Sequence, residues 1–238
     1  MIASPARRML TSILALFEKV FRYLGVRLLG GLAVAAGSLL FLAWLADEVL
    51  EGSTLNFDES VRLFINSHAS SSLTQIMQFV TMLGSTIWLV SLGVCLAILF
   101  FILRWRRSIV VFVVTMAGAI ALNITLKLSF KRTRPTAFFD TPLPSSYSFP
   151  SGHALLSLCF YGALAAILVP HLSRTAPRVL VWTAAVLLVA LIGFSRIYLG
   201  VHYPSDVLAG YAAAIVWVAL VGAGDQMLRR KSRARERL

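Results

Sequence analysis

The hydrophobic positions of the chain fall into six long runs, near residues 28–46, 84–103, 108–129, 152–170, 179–198 and 204–224. Each is close to the ~20 apolar residues a helix needs to cross about 30 Å of hydrocarbon. Between the first two lies a more polar stretch, 47–83, which holds Asp47, Glu48, Glu51, Asp58 and Glu59. Within it Phe57, Val61 and Phe64 recur at helical spacing, and so do Leu73, Ile76 and Val80. That spacing predicts two short surface helices ahead of Gly84-Ser85, where the second run begins. At the start of the chain Leu10, Ile13, Phe17, Phe21 and Leu24 share one helical face, with Arg8, Ser12, Lys19 and Arg22 largely opposite. This predicts an amphipathic helix over 8–24 lying flat on a membrane. The expected architecture is all-α, a polytopic membrane protein of six transmembrane helices. It divides into an interfacial segment at 1–27, a six-span domain at 28–226 and a basic tail at 227–238.

Composition agrees with that class. Hydrophobic residues make up 58% of the chain and charged residues 13%, with a mean hydropathy of +0.82; soluble domains carry about 25% charge. The net charge of +12 raises nucleic acid as a partner, but the basic residues sit in short loops and tails beside the apolar runs, as orientation determinants do. With the N-terminus cytoplasmic, the inside segments take five Lys and Arg in 1–27, three at Arg104, Arg106 and Arg107, two in 171–178 and six after residue 224. The outside segments keep Arg62, Lys127, Lys131, Arg132, Arg134 and Arg196. Of these, Arg62 alone reads as an ordinary loop charge. Both termini are therefore expected in the cytoplasm of a cell whose inner (plasma) membrane holds the protein. The brief apolar run after Arg7 and Arg8 is broken by Glu18, Lys19 and Arg22, which argues against a cleaved signal peptide. Cys95 and Cys159 lie inside apolar runs and read as small buried hydrophobes. No Cys and His spacing suggests a metal, and no cofactor is expected.

Three polar clusters interrupt the second half of the chain: Lys127 to Arg134-Pro135, Pro150-Ser151-Gly152-His153, and Ser195-Arg196 through His202 to Asp206. Ionisable groups beside apolar spans are costly, about 2.5–3.5 kcal/mol each at a helix centre on insertion scales. Six crossings put Lys127, His153, Arg196, His202 and Asp206 on the same, outer, side. In kind they make an anion site. Pro135 disfavours helix at Arg134 and places it on a loop. Ser151 suits a helix N-cap, Gly152 leaves room for close backbone approach, and Pro204 suits a first helical turn. Two helix N-termini then face the anion. Bonded to Asp206 through one nitrogen, His202 could attack phosphorus with the other, while His153 protonates the leaving oxygen. Spacing alone does not decide which histidine attacks. His68 and His171 read as structural hydrogen-bonders.

Lys127-x6-Arg134-Pro135, Pro150-Ser151-Gly152-His153 and Ser195-Arg196-x5-His202-x3-Asp206 resemble the three-part signature of the type-2 phosphatidic acid phosphatase superfamily. The match spans residues 127–206, and all the signature residues are present. The resemblance implies metal-independent phosphatase chemistry through a phosphohistidine on His202, with His153 as general acid and Asp206 orienting His202. It implies that Lys127, Arg134, Arg196 and the Ser151-Gly152 turn hold phosphate. The same superfamily includes soluble vanadate-dependent haloperoxidases, which six spans argue against. The expected substrate is a phosphorylated or diphosphorylated membrane lipid, such as phosphatidic acid, phosphatidylglycerol phosphate or undecaprenyl diphosphate, met at the outer face of the bilayer. A non-catalytic lipid-phosphate binding or transport protein is the alternative. It requires cations but no oriented nucleophile, so intact His202, His153 and Asp206 argue against it. The small residues Gly118, Ala119, Ala212 and Ala213 permit close helix packing; they leave the oligomeric state undetermined.

Overall fold

The computed structural model describes residues 25–139 and 143–235. Its helices are α1 (Val26–Leu50), α2 (Leu55–Ser67), α3 (Ser71–Met82), α4 (Thr86–Ile102), α5 (Arg106–Phe130), α6 (Gly152–Leu168), α7 (Thr175–Tyr198) and α8 (Pro204–Arg235). A 3-10 turn, Val169–His171, extends α6, and no strand occurs among the described residues. The amphipathic helix expected over 8–24 lies outside them.

Among the described residues five helices, α1 and α5 to α8, are long and apolar enough to cross a membrane. A sixth crossing is reached if α3 and α4 count as one bent span. With 17 residues, α4 reaches roughly 25 Å at 1.5 Å per residue, short of the hydrocarbon thickness. Across a break at Leu83-Gly84-Ser85, α3 continues it at 48°. Ser85 starts α4 afresh, its Oγ accepting the Trp88 N–H at 3.3 Å. The second expected surface helix, α3, thus leads straight into α4, as a broken span or a re-entrant turn would. At the other end of the chain α8 runs past residue 224, where the apolar run stops, to Arg235. Residues 225–235 contain neither proline nor glycine to end it.

Packing centres on α6, which is buried through Leu155, Cys159, Phe160 and Ala163 and touches α5, α7 and α8. Small residues let α5 and α8 meet closely: the Trp217 ring occupies the space a Cβ on Gly118 would need, and its Nε1–H donates to the Thr115 carbonyl at 2.8 Å. Ala119, Ala212 and Ala213 are buried, as their size suggests. Large apolar side chains such as Leu40, Trp44, Ile87, Phe101, Val110, Leu180 and Val186 point outward, where lipid rather than water would meet them. Cys159 is buried, but Cys95 is exposed on that apolar surface; a thiol is apolar enough for either place.

α2 is inverted with respect to a helix on a soluble protein. Phe57 and Phe64 are 57% and 67% exposed, while Asp58 and Arg62 are 0% and 2% exposed. Arg62 is thus not an ordinary loop charge. It pairs with Glu59 at 2.6 Å and donates to the carbonyls of Thr136 at 2.7 Å and Gly200 at 3.3 Å. Charge turns inward because its partners are there.

Candidate active site

Lys131 ends α5 in a left-handed conformation, φ 48°, with its N–H returning to the Lys127 carbonyl at 3.0 Å. The following residues to Ala137 are irregular. Lys127 therefore projects from the last helical turn, while Arg132 and Arg134 approach from a loop.

Arg134 reaches His202, its Nη1 lying 3.0 Å from His202 Nε2 and 2.9 Å from the Val201 carbonyl. A guanidinium can only donate, so Nε2 accepts and carries a lone pair. The proton of the neutral ring is then on Nδ1, which donates to Asp206 Oδ2 at 3.2 Å. Arg134 and Asp206 fix the same tautomer from opposite sides. Burial holds the protonated form of His202 down, to a pKa of about 3, against the pull of Asp206. Burial likewise lowers the Arg134 guanidinium from its ordinary value, which Asp206 partly counters.

Asp206, in the first turn of α8, also accepts from the Tyr203 N–H at 2.9 Å and from the Ser148 hydroxyl. Its carbonyl receives the Ser151 N–H at 2.9 Å, which ties the start of α6 to the start of α8. Lys127 donates to the carbonyls of Tyr147 and Ser148, on the strip leading into Ser151. Ser151 precedes α6 as expected, but its hydroxyl does not cap the helix; Oγ is buried without a partner. Arg196, in the last turn of α7, gives one bond to Thr81 Oγ1 at 2.6 Å and keeps a buried Nε with no partner. A Cβ on Gly152 would lie 3.2 Å from the Asn123 amide, so this helix start and α5 touch. Gly84, at the α3–α4 break, faces His153 in the same way, with its would-be Cβ 3.2 Å from Cδ2.

All eight expected site residues thus gather at one end of the bundle. Lys127, Arg134 and Arg196 pair with no carboxylate among the described residues. Their donors go to carbonyls, hydroxyls and His202 Nε2, which leaves a cationic cradle with two unpartnered donors, Ser151 Oγ and Arg196 Nε. Such a cradle suits a phosphoryl dianion.

The cation that does meet Asp206 is Arg132. Its Nη1 lies 2.7 Å from Asp206 Oδ1 and from Ser205 Oγ, and its Nη2 lies 2.8 Å from Asp58 Oδ2. Asp58, from α2, also receives the Ser205 N–H at 3.0 Å and its hydroxyl at 2.6 Å. Sequence reasoning places Arg132 in the first cluster without a role and passes over Asp58, Ser148, Asn123 and Thr81. One signal was present: Asp58 and Arg62 are four apart, on one face of a helix. Among the described residues no group of three or more His, Cys, Asp or Glu side chains is arranged to hold a metal. His68 bonds the Phe64 carbonyl at 2.9 Å and His171 stacks on Trp105 at 3.7 Å, both away from the site.

Comparison with known proteins agrees with this geometry. The sequence profile of the PAP2 superfamily matches residues 108–229. The chain is 30% identical over 192 residues to phosphatidylglycerophosphatase B of Bacillus subtilis (strain 168), covering 80% of this chain and 94% of the relative. It is 32% identical over 181 residues to the undecaprenyl-diphosphatase of Sulfolobus acidocaldarius, covering 73% and 82%. Its fold superposes on the crystal structure of the transmembrane PAP2-type phosphatidylglycerolphosphate phosphatase from Bacillus subtilis with a TM-score of 0.76. The identity there is 29%, over 81% of this chain and 96% of that one. With α5 to α8 carrying the cradle and the family profile laid over the same helices, this multi-pass membrane protein belongs to the PAP2 superfamily.

Proposed function

We propose that the protein is a membrane phosphatase that removes phosphate from a phosphorylated or diphosphorylated lipid, with His202 as nucleophile. The observation that carries this reading is the pinned His202 ring, with a lone pair on Nε2 and Nδ1–H on Asp206, beside three cations that form no ion pair with a carboxylate among the described residues. A binding protein needs the cations but gains nothing from the oriented imidazole.

In this mechanism the phosphoryl oxygens take over the Arg134 donors, which frees Nε2. The Nε2 lone pair forms a bond to phosphorus as the bond from phosphorus to the lipid oxygen breaks. The departing electron pair accepts a proton from His153. Nδ1 keeps its proton and its bond to Asp206, which stabilises the positive ring. Water, giving a proton back to His153, then attacks phosphorus; the N–P electrons return to Nε2 and inorganic phosphate leaves. Lys127, Arg134, Arg196 and the Ser151-Gly152 turn hold the equatorial oxygens. At 4 Å and an effective dielectric near 20, each cation contributes roughly 4 kcal/mol before desolvation. Metal is not required in this scheme, because the two nearby acids, Asp206 and Asp58, are already engaged by Arg132.

The names of the relatives point to phosphatidylglycerol phosphate and undecaprenyl diphosphate as the first substrates to try. The distribution of Lys and Arg supports cytoplasmic termini and an outward site at the inner (plasma) membrane. Purified protein should release phosphate from one or more of a panel of lipid mono- and diphosphates in excess chelator. Failure across the whole panel, or activity that only magnesium restores, counts against the reading.

A further inference from the structure

We propose that Asp58 and Arg132 are a positioning pair that holds Asp206 ionised and correctly charged for His202. This rests on the reading of His202 as nucleophile. The pair touches no substrate; it acts through Asp206. The connected groups run from the His202 ring to Asp206, then Arg132, then Asp58, over contacts of 3.2, 2.7 and 2.8 Å. All are nearly enclosed, with side-chain exposures of 2% for His202, 0% for Asp206, 9% for Arg132 and 0% for Asp58. The Tyr203 ring lies 4.2 Å from the guanidinium and covers its face.

Charge explains why both members are needed. Asp58 and Asp206 are tied to the same small region through Ser205 and Arg132. Without Arg132, two buried carboxylates would share that region with no cation between them, which is strongly unfavourable. Without Asp58, Arg132 would draw on Asp206 alone, from the side opposite His202. The resting sum over Asp58, Arg132 and Asp206 is one negative charge. When Nε2 bonds to phosphorus while Nδ1 keeps its proton, the ring gains one positive charge and the sum becomes zero. With Asp58 neutral, the same step would leave an uncompensated positive charge in a buried place, which is strongly unfavourable. Asp58 therefore lowers the barrier of the phosphorylation step and leaves ground-state binding to the cradle unchanged.

The test uses full-length protein in detergent with one lipid phosphate and one aryl phosphate. Asp58→Asn should lower kcat by about tenfold, the lower end of what outer partners of a functional histidine cost when removed. KM should stay within about twofold, and the loss should be the same for both leaving groups, because the defect is on the nucleophile's side. In an Arg132→Gln background, Asp58→Asn should cost little more, since its effect passes through Arg132. Unchanged kcat in folded Asp58→Asn, a loss confined to KM, a loss confined to the alkyl leaving group, or full additivity in the double variant would overturn the pair. If Asp58→Asn does not fold, Asp58→Glu serves, with kcat within about threefold of wild type expected because the charge is kept; a larger kcat loss at unchanged KM overturns the charge argument. Turnover that survives His202→Ala removes the reading of the whole site. A dead His202→Ala beside a fully active Asp58→Asn removes the positioning pair alone.

Discussion

At one end of the bundle Arg132 bridges Asp58 and Asp206 in a nearly sealed place; at the other, Arg107 and Arg229 share Asp225 with side chains 43%, 55% and 19% exposed. The residue types and contact lengths are alike, 2.7 and 2.8 Å at the first and 2.6 and 3.1 Å at the second. What differs is water. Exposed pairs are worth about 0.2–1 kcal/mol by double-mutant cycles, whereas removing one partner of a buried pair costs about 3–5 kcal/mol. The open end holds two helices together weakly and marks the basic side of the protein. At the sealed end the same chemistry keeps charges where solvent cannot redistribute them, which is what the mechanism proposed for His202 needs.

The comparison can be broken most sharply at the sealed end. His202→Ala should reduce phosphate release by about 10⁴-fold or more, as loss of a nucleophile does elsewhere. Radiolabel from a labelled lipid phosphate should no longer be trapped on the protein after a denaturing quench at alkaline pH. Trapping that persists would place the attack on another side chain.

His153→Ala should cost about 10²–10⁴-fold on an alkyl lipid phosphate, the usual range for a general acid. On a nitrophenyl phosphate, whose leaving group needs no proton, the loss should be below tenfold. Equal losses on the two substrates would make His153 a binding residue.

A smaller effect concerns pH. His202 titrates near 6.5 in the unfolded chain and at about 3 when folded. Above pH 6.5 it is neutral in both states and its contribution to stability is fully present. As pH falls from 6.5 toward 3, the unfolded chain takes a proton the folded protein refuses. Stability then drops by about 1.4 kcal/mol per pH unit from this group. Thermal unfolding in detergent between pH 7 and 4.5 should show a shallower decline for His202→Gln than for wild type. Parallel curves would mean that His202 is not held neutral.

The smallest effect belongs to the open end. Asp225→Asn should change stability by less than about 1 kcal/mol and leave kcat within about twofold. The Arg107 bond to the Asp225 carbonyl, at 2.6 Å, survives the change. A larger loss would show that the two ends are coupled and that exposure is the wrong distinction.

Periodicity carried most of the architecture. The apolar runs at 108–129, 152–170 and 179–198 match α5, α6 with its 3-10 turn, and α7 closely, because lipid demands unbroken apolar helices. The three clusters were legible too, since charge beside a span stands out. The role of α2 was not. Its phenylalanines mark an apolar face, and next to a bilayer that face can turn outward and the charged face inward. Hydropathy reports the period of a helix and not which side of it is wet. Nor does spacing reveal that Asp58 meets residues 74 and 147 positions later. The pairing of α3 with α4 escaped for a related reason: each looks too short, and the bend at Gly84 joins them only in three dimensions.

Those long separations bear on how the protein is made. At about 5–20 residues per second, the ribosome delivers Asp58 roughly 4–15 s before Arg132 and roughly 7–30 s before Ser205. Through that interval the carboxylate has neither partner, and burying it alone would cost several kcal/mol. α2 must therefore wait at the wet surface, its phenylalanines against the lipid headgroups, while α5 to α8 are threaded and folded. A helix made early is among the last to take its seat.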